Sequence, residues 1–364
     1  GYLGTETDVN ITGEIKETVD VKKTVIGDDG NEKEIIEKQT LTYTVTGIDD
    51  GAFRNNRYLR NAVVSGGVKT IGASAFYNCE NLVSVVLGDN VTSIKNYAFY
   101  NCGALSLVTF AEDGSLTSIG NYAFYGNASL TEVTIPSSVE SVGIFAFAKC
   151  DNLSKVVIEN GTEEIGNNAF AECISLTDLT LPESLTKLGG YVFDGCERLV
   201  YIVFKGESVP TIESDTFNGL NEGVYYFVPD RSAKAYKSDS VWRPVITKII
   251  PVENVCTIEG YENYVYERMD ADSYKLVAYI GDETITDVTI ESQIADGVSI
   301  VSVGSYAFGQ FVKKVTLSEG ILSVEEKAFS HAVNLEKIVF PASLKTIGAY
   351  SFAGLKKLSD IVFA

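Results

Sequence analysis

The sequence predicts a mainly β fold, a solenoid of stacked short coils with little helix, and three observations carry that prediction. One phrase recurs: Val91-Thr-Ser-Ile94-Lys-Asn-Tyr-Ala98-Phe99 is followed by Leu116 to Phe124, Val139 to Phe147, Thr162 to Phe170 and Leu185 to Phe193. The closing phenylalanines Phe99, Phe124, Phe147, Phe170 and Phe193 recur every 23 to 25 residues, and a fixed period of that size marks a stacked repeat. Each copy then runs into a strand-like stretch such as Leu130-Thr-Glu-Val133-Thr-Ile135, whose alternation places Leu130, Val133 and Ile135 inward and Glu132 and Thr134 outward.

Taken in order, residues 1–44 carry no repeat and read as an N-terminal β-hairpin cap. Ile15 to Ile26 and Lys33 to Val45 are rich in Val, Ile and Thr, with Gly27-Asp-Asp-Gly-Asn31 as a polar turn between them. A solenoid's first coil has an open sheet edge, so a dedicated cap is expected there. The first repeat array occupies 45–223. It opens at Val45 to Phe53, and its eighth copy, Val209 to Phe217, departs from the others as a terminal repeat does. Residues 224–251 keep a strand, Val224 to Pro229, but lack the Ala-Phe turn. Ser232 to Ser238 is expected as a short helix laying Tyr236 and Trp242 over the last coil, so this stretch reads as a closing cap. A β-rich start of a second unit follows at 252–297, with strands expected over Tyr274 to Ile280 and Thr284 to Ile290 around Gly281-Asp-Glu. The second, shorter array at 298–364 has turns at Ala307-Phe308, Ala328-Phe329 and Ser351-Phe352, with strands over Val312 to Leu317, Leu335 to Phe340 and Leu358 to Phe363. The chain stops on a strand at Ala364 without a cap, so a C-terminal continuation is expected.

Within a unit, the residue five before the phenylalanine is aliphatic, as at Ile94, Ile119, Val142, Ile165, Leu188, Val303 and Ile347. The residue six after it is usually Leu, as at Leu82, Leu105, Leu130, Leu153, Leu176, Leu335 and Leu358. Only stacking on the next unit can bury these positions, so all are expected to point inward. Cys79, Cys102, Cys150, Cys173 and Cys196 each stand three residues after a repeat phenylalanine, a site for a small buried side chain. Neighbours in that column lie within disulfide reach, but their side chains point the same way, so thiols are expected. Cys256 lies outside the column without an obvious partner.

The pattern Leu-x-x-Val-x-Leu, Pro, then Leu-x-x-Ile-Gly-x-x-Ala-Phe-x-x-Cys resembles the BspA-like leucine-rich repeats of bacterial cell-surface proteins. Leu176 to Cys196 follows it almost letter by letter. The resemblance covers roughly 45–221 and 298–364, and the segment Tyr236 to Pro251 looks like the closing segment common in that family. It implies a leucine-rich-repeat solenoid with a right-handed arc, an extracellular or cell-surface location, and a role in adhesion or protein binding. It implies no catalytic residue.

Composition and motifs exclude other classes. A net charge of −20 argues against a nucleic-acid partner. No apolar run approaches the ~20 residues that span a bilayer. The single histidine, His331, leaves no His pair for zinc and no His-based triad, and it reads as a surface or half-buried polar group. Neither a nucleophile-elbow nor a phosphate-loop motif occurs. Asp28-Asp-Gly-Asn31 and Asp270-Ala-Asp272-Ser lack the spacing of a calcium loop and read as turns. The chain is therefore read as a non-enzyme without metal or cofactor.

Two outward columns compete as a binding surface. One is aromatic: Tyr97, Tyr122 and Phe145 stand two before successive repeat phenylalanines, and Tyr77, Tyr100 and Tyr125 stand one after. The units at Phe170 and Phe217 carry Asn168, Ala171, Asp215 and Asn218 instead, and the second array has Lys327 between Tyr306 and Tyr350. Clustered tyrosines look like interface anchors, while stacking between copies is a structural alternative. The other column lies on the strand face and includes Glu132, Lys155, Asp178 and Tyr201, beside a β-branched stripe from Val63 to Val203. The expected partner is a host or microbial extracellular protein or glycoprotein, bound by a monomer. The alternative is a structural spacer that presents another domain away from the cell.

Overall fold

The computed structural model describes residues 6–12, 14–26, 32–220, 222–251, 255–256, 263–280, 284–295 and 297–364. The turn expected at Gly27-Asp-Asp-Gly-Asn31, the Gly281-Asp-Glu loop and the Cys256 side chain lie outside the described residues. The fold is a parallel-strand β-solenoid with 4 % helix. It packs as two units, residues 1–173 with 187–194, and residues 174–186 with 195–364.

The coils of the first unit contribute two-residue strands and four-residue strands. The short strands Gly47–Ile48, Thr70–Ile71, Ser93–Ile94, Ser118–Ile119, Ser141–Val142, Glu164–Ile165 and Lys187–Leu188 form one parallel ladder. The longer strands Asn61–Val64, Ser84–Leu87 and Leu107–Phe110 pair in parallel, as do Glu132–Ile135 and Lys155–Ile158. Glu132–Ile135 alternates as its sequence predicts, with Val133 and Ile135 buried and Glu132 and Thr134 exposed.

Register between coils puts like residues on like. The repeat phenylalanines stack face to face, with centroids 4.8 Å apart for Phe53 and Phe76 and 5.1 Å for Phe99 and Phe124. Ile94, Ile119, Leu105 and Leu130 close the core around them. The column cysteines are buried thiols. Cys79, Cys102, Cys150 and Cys173 each donate the S–H to the phenylalanine carbonyl of the preceding coil, as Cys102 Sγ does to Phe76 O at 3.0 Å and Cys150 Sγ to Phe124 O at 3.3 Å. The glycine after the short strand is set by contact. A Cβ on Gly143 would stand 2.6 Å from the backbone of Gly120 and Asn121 in the preceding coil, closer than any side chain tolerates.

The open edge of the long-strand sheet is covered by Asp8–Ile11, which pairs in parallel with Asn61–Val64. The repeat pattern does not announce that strand. The expected hairpin forms from Glu14–Ile26 and Glu32–Thr44, antiparallel along its whole length, as a two-stranded sheet of its own.

In the second unit Asp178–Leu181, Tyr201–Phe204, Tyr225–Val228 and Ile249–Pro251 pair in parallel. The helix Asp230–Ser238 then buries Tyr236, and the 3-10 turn Arg243–Lys248 follows Trp242. Trp242 packs edge-on against Phe204 at 5.0 Å and tilted on Phe217 at 5.1 Å. Both Tyr236 and Trp242 are buried there. Beyond the cap, Tyr264–Arg268 and Ser273–Tyr279 pair antiparallel, and Ser273–Tyr279 continues in parallel with Val298–Val303. Asp287–Ile290, Lys314–Leu317, Lys337–Phe340 and Asp360–Phe363 form a separate parallel ladder. The last three of these strands start two residues later than their aliphatic pattern and the first starts three later than expected; Leu335, for example, donates its N–H to the Ala332 carbonyl in the turn at 2.8 Å. At the last of the aliphatic positions expected to point inward before a repeat phenylalanine, Ile347 is 37 % exposed, whereas its counterparts Val303 and Val324 are buried.

Candidate binding surface

The aromatic columns arise from two turn positions that flank each buried phenylalanine. At the position two before it the backbone is left-handed, with φ of 60° at Tyr97, 56° at Tyr122 and 54° at Phe145. The solenoid imposes that conformation, because each of these residues donates its N–H to the following coil: Tyr97 to Asn121 O at 2.9 Å, Tyr122 to Ile144 O at 2.8 Å and Phe145 to Asn167 O at 3.0 Å. Left-handed backbone favours Gly or Asn and penalises bulky side chains. Asn168 obeys that preference one coil on, at φ 58°. Aromatic rings at the other three positions are therefore held there by something other than backbone preference.

Register stacks the rings into two columns. In one, Tyr77 and Tyr100 lie 4.8 Å apart and Tyr100 and Tyr125 lie 4.9 Å apart, within 5° of parallel. In the other, Tyr97 and Tyr122 are 5.0 Å apart and Tyr122 and Phe145 are 4.9 Å apart. Tilted contacts of 5.7 Å, Tyr97 to Tyr100 and Tyr122 to Tyr125, join the columns into one cluster. Five of its six members are half-buried and Tyr97 is 38 % exposed. The inner rings cover one another's faces, so ring edges and hydroxyls are what remain for a partner.

Two cations border the cluster, and neither was singled out by sequence reading. The Arg54 guanidinium lies over the Tyr77 ring at 4.6 Å. It occupies the position one after Phe53, the same column as Tyr77, so following that column one unit further would have found it. Lys149 stands 3.4 Å from Glu172, and its ammonium is stabilised first by Tyr125 and then by Glu172, which raise its pKa. Burial, then the neighbouring tyrosines, raises the pKa of Tyr100 and Tyr122. Both therefore remain neutral phenols, able to donate or accept a hydrogen bond.

The alternative strand-face residues sort differently. Glu132 and Lys155 are cross-strand partners and pair with each other at 3.9 Å. Asp178 is the cross-strand partner of Tyr201, whose hydroxyl is pushed up to about 12 by burial and by Asp178. Tyr201 also stacks on Phe227 at 5.1 Å. Among the described residues no cluster of three His, Cys, Asp or Glu side chains is placed to hold a metal ion, and no helix is long and apolar enough to cross a membrane.

The model of the BspA type leucine-rich repeat region matches residues 24–144, 117–224 and 278–364. No curated protein matches the chain. Similar solved structures include the pneumococcal vaccine antigen PcpA, 16 % identical, with 98 % of this chain and 82 % of that one covered and a TM-score of 0.37. A leucine-rich repeat protein from Bacteroides ovatus is 21 % identical, with 99 % and 88 % covered and a TM-score of 0.36. A leucine-rich cell surface protein from Faecalibacterium prausnitzii is 20 % identical, with 100 % and 89 % covered and a TM-score of 0.32.

Proposed function

This chain belongs to the BspA-type leucine-rich repeat family, and from that premise we propose that it is a non-catalytic surface or secreted protein that binds an extracellular protein or glycoprotein through its tyrosine columns. The observation that supports this most directly is Tyr100, held between Tyr77 and Tyr125 at 4.8 and 4.9 Å. Binding normally costs about 0.5–1.5 kcal/mol for each side chain it immobilises. Rings already stacked on their neighbours lose little further freedom, so the surface is ordered before the partner arrives. Tyrosine edges and hydroxyls suit a partner that brings backbone amides and polar side chains. The covered faces leave little room for a sugar ring to stack, so the polypeptide part of a glycoprotein is the expected contact.

The strand face supports the reading less well, because Glu132 and Lys155 already neutralise each other. A second reading, a spacer that holds another domain away from the cell, draws on the same stacking, which also braces one coil against the next.

The test is a binding screen of the whole chain against extracellular-matrix proteins and mucin, repeated with the double substitution Tyr100→Ser and Tyr125→Ser. Saturable binding that falls at least about tenfold in the double variant supports the columns as the site. Saturable binding that the variant keeps moves the site elsewhere, and no saturable binding favours the spacer.

A further inference from the structure

A cavity of about 210 Å³ in the second unit is lined by none of the column aromatics. Its apolar wall includes Leu199, Phe308 and Phe311, and its polar wall includes Arg198, Gln310 and His331. Leu199 and Phe308 are buried, whereas Val333, which also lines it, is 44 % exposed, so the cavity opens to solvent on that side. At ~30 Å³ per water it has room for roughly seven waters, or an organic molecule of roughly ten heavy atoms.

The charges are arranged unevenly. The Arg198 guanidinium lies over the Phe311 ring at 4.3 Å and is half-buried. The carboxylate of Glu197 belongs to an exposed residue. Glu222, beyond Tyr306, is taken up by the Tyr306 hydroxyl and the Lys327 ammonium. The His331 ring packs on Tyr306 at 4.6 Å, where burial and then Lys248 lower its pKa and keep it neutral.

We propose that this cavity binds a small apolar monocarboxylate, its hydrocarbon body against Leu199, Phe308 and Phe311 and its carboxylate on the Arg198 guanidinium. A cation drawn partly out of water by an aromatic wall gains more from a carboxylate than an exposed one does, and the planar fork matches two carboxylate oxygens. A guanidinium carries five N–H donors, so a carboxylate adds to whatever partners Arg198 already has. The acid can be a free metabolite-sized molecule or the terminal residue of a peptide, and both offer the same chemistry.

The probe is 3-phenylpropanoate, with 3-phenylpropanamide as its uncharged counterpart, titrated against the whole chain by calorimetry or ligand-observed NMR. The carboxylate is expected to bind with a sub-millimolar Kd and the amide at least about tenfold more weakly. Arg198→Gln should bring the two within about twofold of each other. Val333→Trp, at an exposed position that tolerates bulk, should fill the cavity and abolish binding of both while the circular dichroism is unchanged. A short peptide ending in Phe distinguishes the sources: binding that its C-terminal amide lacks assigns the site to chain ends, and failure of both peptides assigns it to free acids. No binding of 3-phenylpropanoate at about 10 mM, equal affinity for the amide, or unaltered binding by the Val333→Trp protein overturns the proposal. The Tyr100→Ser and Tyr125→Ser variant should bind the probe as wild type, which keeps this test independent of the columns.

Discussion

The rings of Phe124 and Phe147 lie 5.1 Å apart and within 4° of parallel, and the same contact repeats along the first unit. Phe147 also stacks on Phe170 at 5.7 Å and has no exposed surface. Phe147→Ala should therefore cost about 3–5 kcal/mol, because neighbours on both sides lose a contact and cannot collapse into the gap. Urea melts of the two proteins measure it. A loss below about 1 kcal/mol would mean that the ring is not part of the core.

The glycines that follow the short strands make a sharper comparison. Gly143→Ala would drive a Cβ to 2.6 Å from the backbone of the preceding coil, whereas a Cβ on Gly103 meets nothing within 4 Å. The first substitution should destabilise by about 1–3 kcal/mol, as overpacking does, and the second should leave the melting midpoint nearly unchanged. Equal effects would show that coil spacing is not set by this contact.

Much of this was legible in the letters because each coil repeats the same local problem. Phe124, Ile119 and Leu130 could be placed inward from spacing alone, and the cap rings Tyr236 and Trp242 from the loss of the Ala-Phe turn. Asp8–Ile11 was not legible, since a strand that covers the first edge from outside the repeat carries no periodic signal. For the tyrosines, sequence gave the columns but not the left-handed backbone at Tyr97, Tyr122 and Phe145, nor the covering of their faces. The Arg198 cavity was illegible altogether: Arg198 and Phe311 meet across more than a hundred positions, with no motif joining them.

The column thiols predict an alkaline effect. Burial pushes the Cys150 thiol up to about 12 and moves Cys102 in the same direction, whereas an unfolded cysteine titrates near ~8.5. Above that value the unfolded chain loses the proton and the folded chain keeps it. The stabilisation is thus complete below pH ~8.5 and declines as pH rises toward the folded value, by at most about 1.4 kcal/mol per pH unit for each such thiol. Urea melts between mildly and strongly alkaline pH test the slope, which Cys150→Ala should reduce. Native Cys150 should also resist a thiol reagent that labels it promptly after unfolding.

On the acid side the single histidine is the reporter. Its folded pKa is depressed by burial, then by Lys248, so its contribution is present above the unfolded value of ~6.5 and is lost as pH falls through the folded value. Glu222 adds to this further down. Its carboxyl is held at about 2 by the Lys327 and Tyr306 hydrogen bonds, so its part is lost as pH falls from the usual carboxylate range toward that value. Being largely exposed, it contributes little. The expected outcome is a His331 imidazole resonance that titrates below ~6.5, with His331→Gln removing the upper part of the acid loss of stability. A resonance that titrates at or above the unfolded value would contradict the half-buried placement against Tyr306.

The last prediction separates what holds the tyrosines in place from what strains them. Tyr122 and Tyr191 occupy the same repeat position with left-handed backbone, at φ 56° and 52°. Tyr122 has rings on both sides, Tyr97 at 5.0 Å and Phe145 at 4.9 Å, whereas the column neighbour before Tyr191 is Asn168, which has no ring. Asn accepts left-handed backbone more readily than Tyr. Substituting Asn at either position relieves the same strain, but only Tyr122→Asn removes stacked partners, at about 0.5–1.5 kcal/mol each. Tyr191→Asn should therefore match or exceed wild-type stability, and Tyr122→Asn should be about 1–3 kcal/mol less stable than Tyr191→Asn. Paired urea melts read the difference directly. If the two variants melt together, stacking adds nothing at Tyr122. The aromatic side chains would then be placed against backbone preference without a structural return, which strengthens the case that a partner uses them.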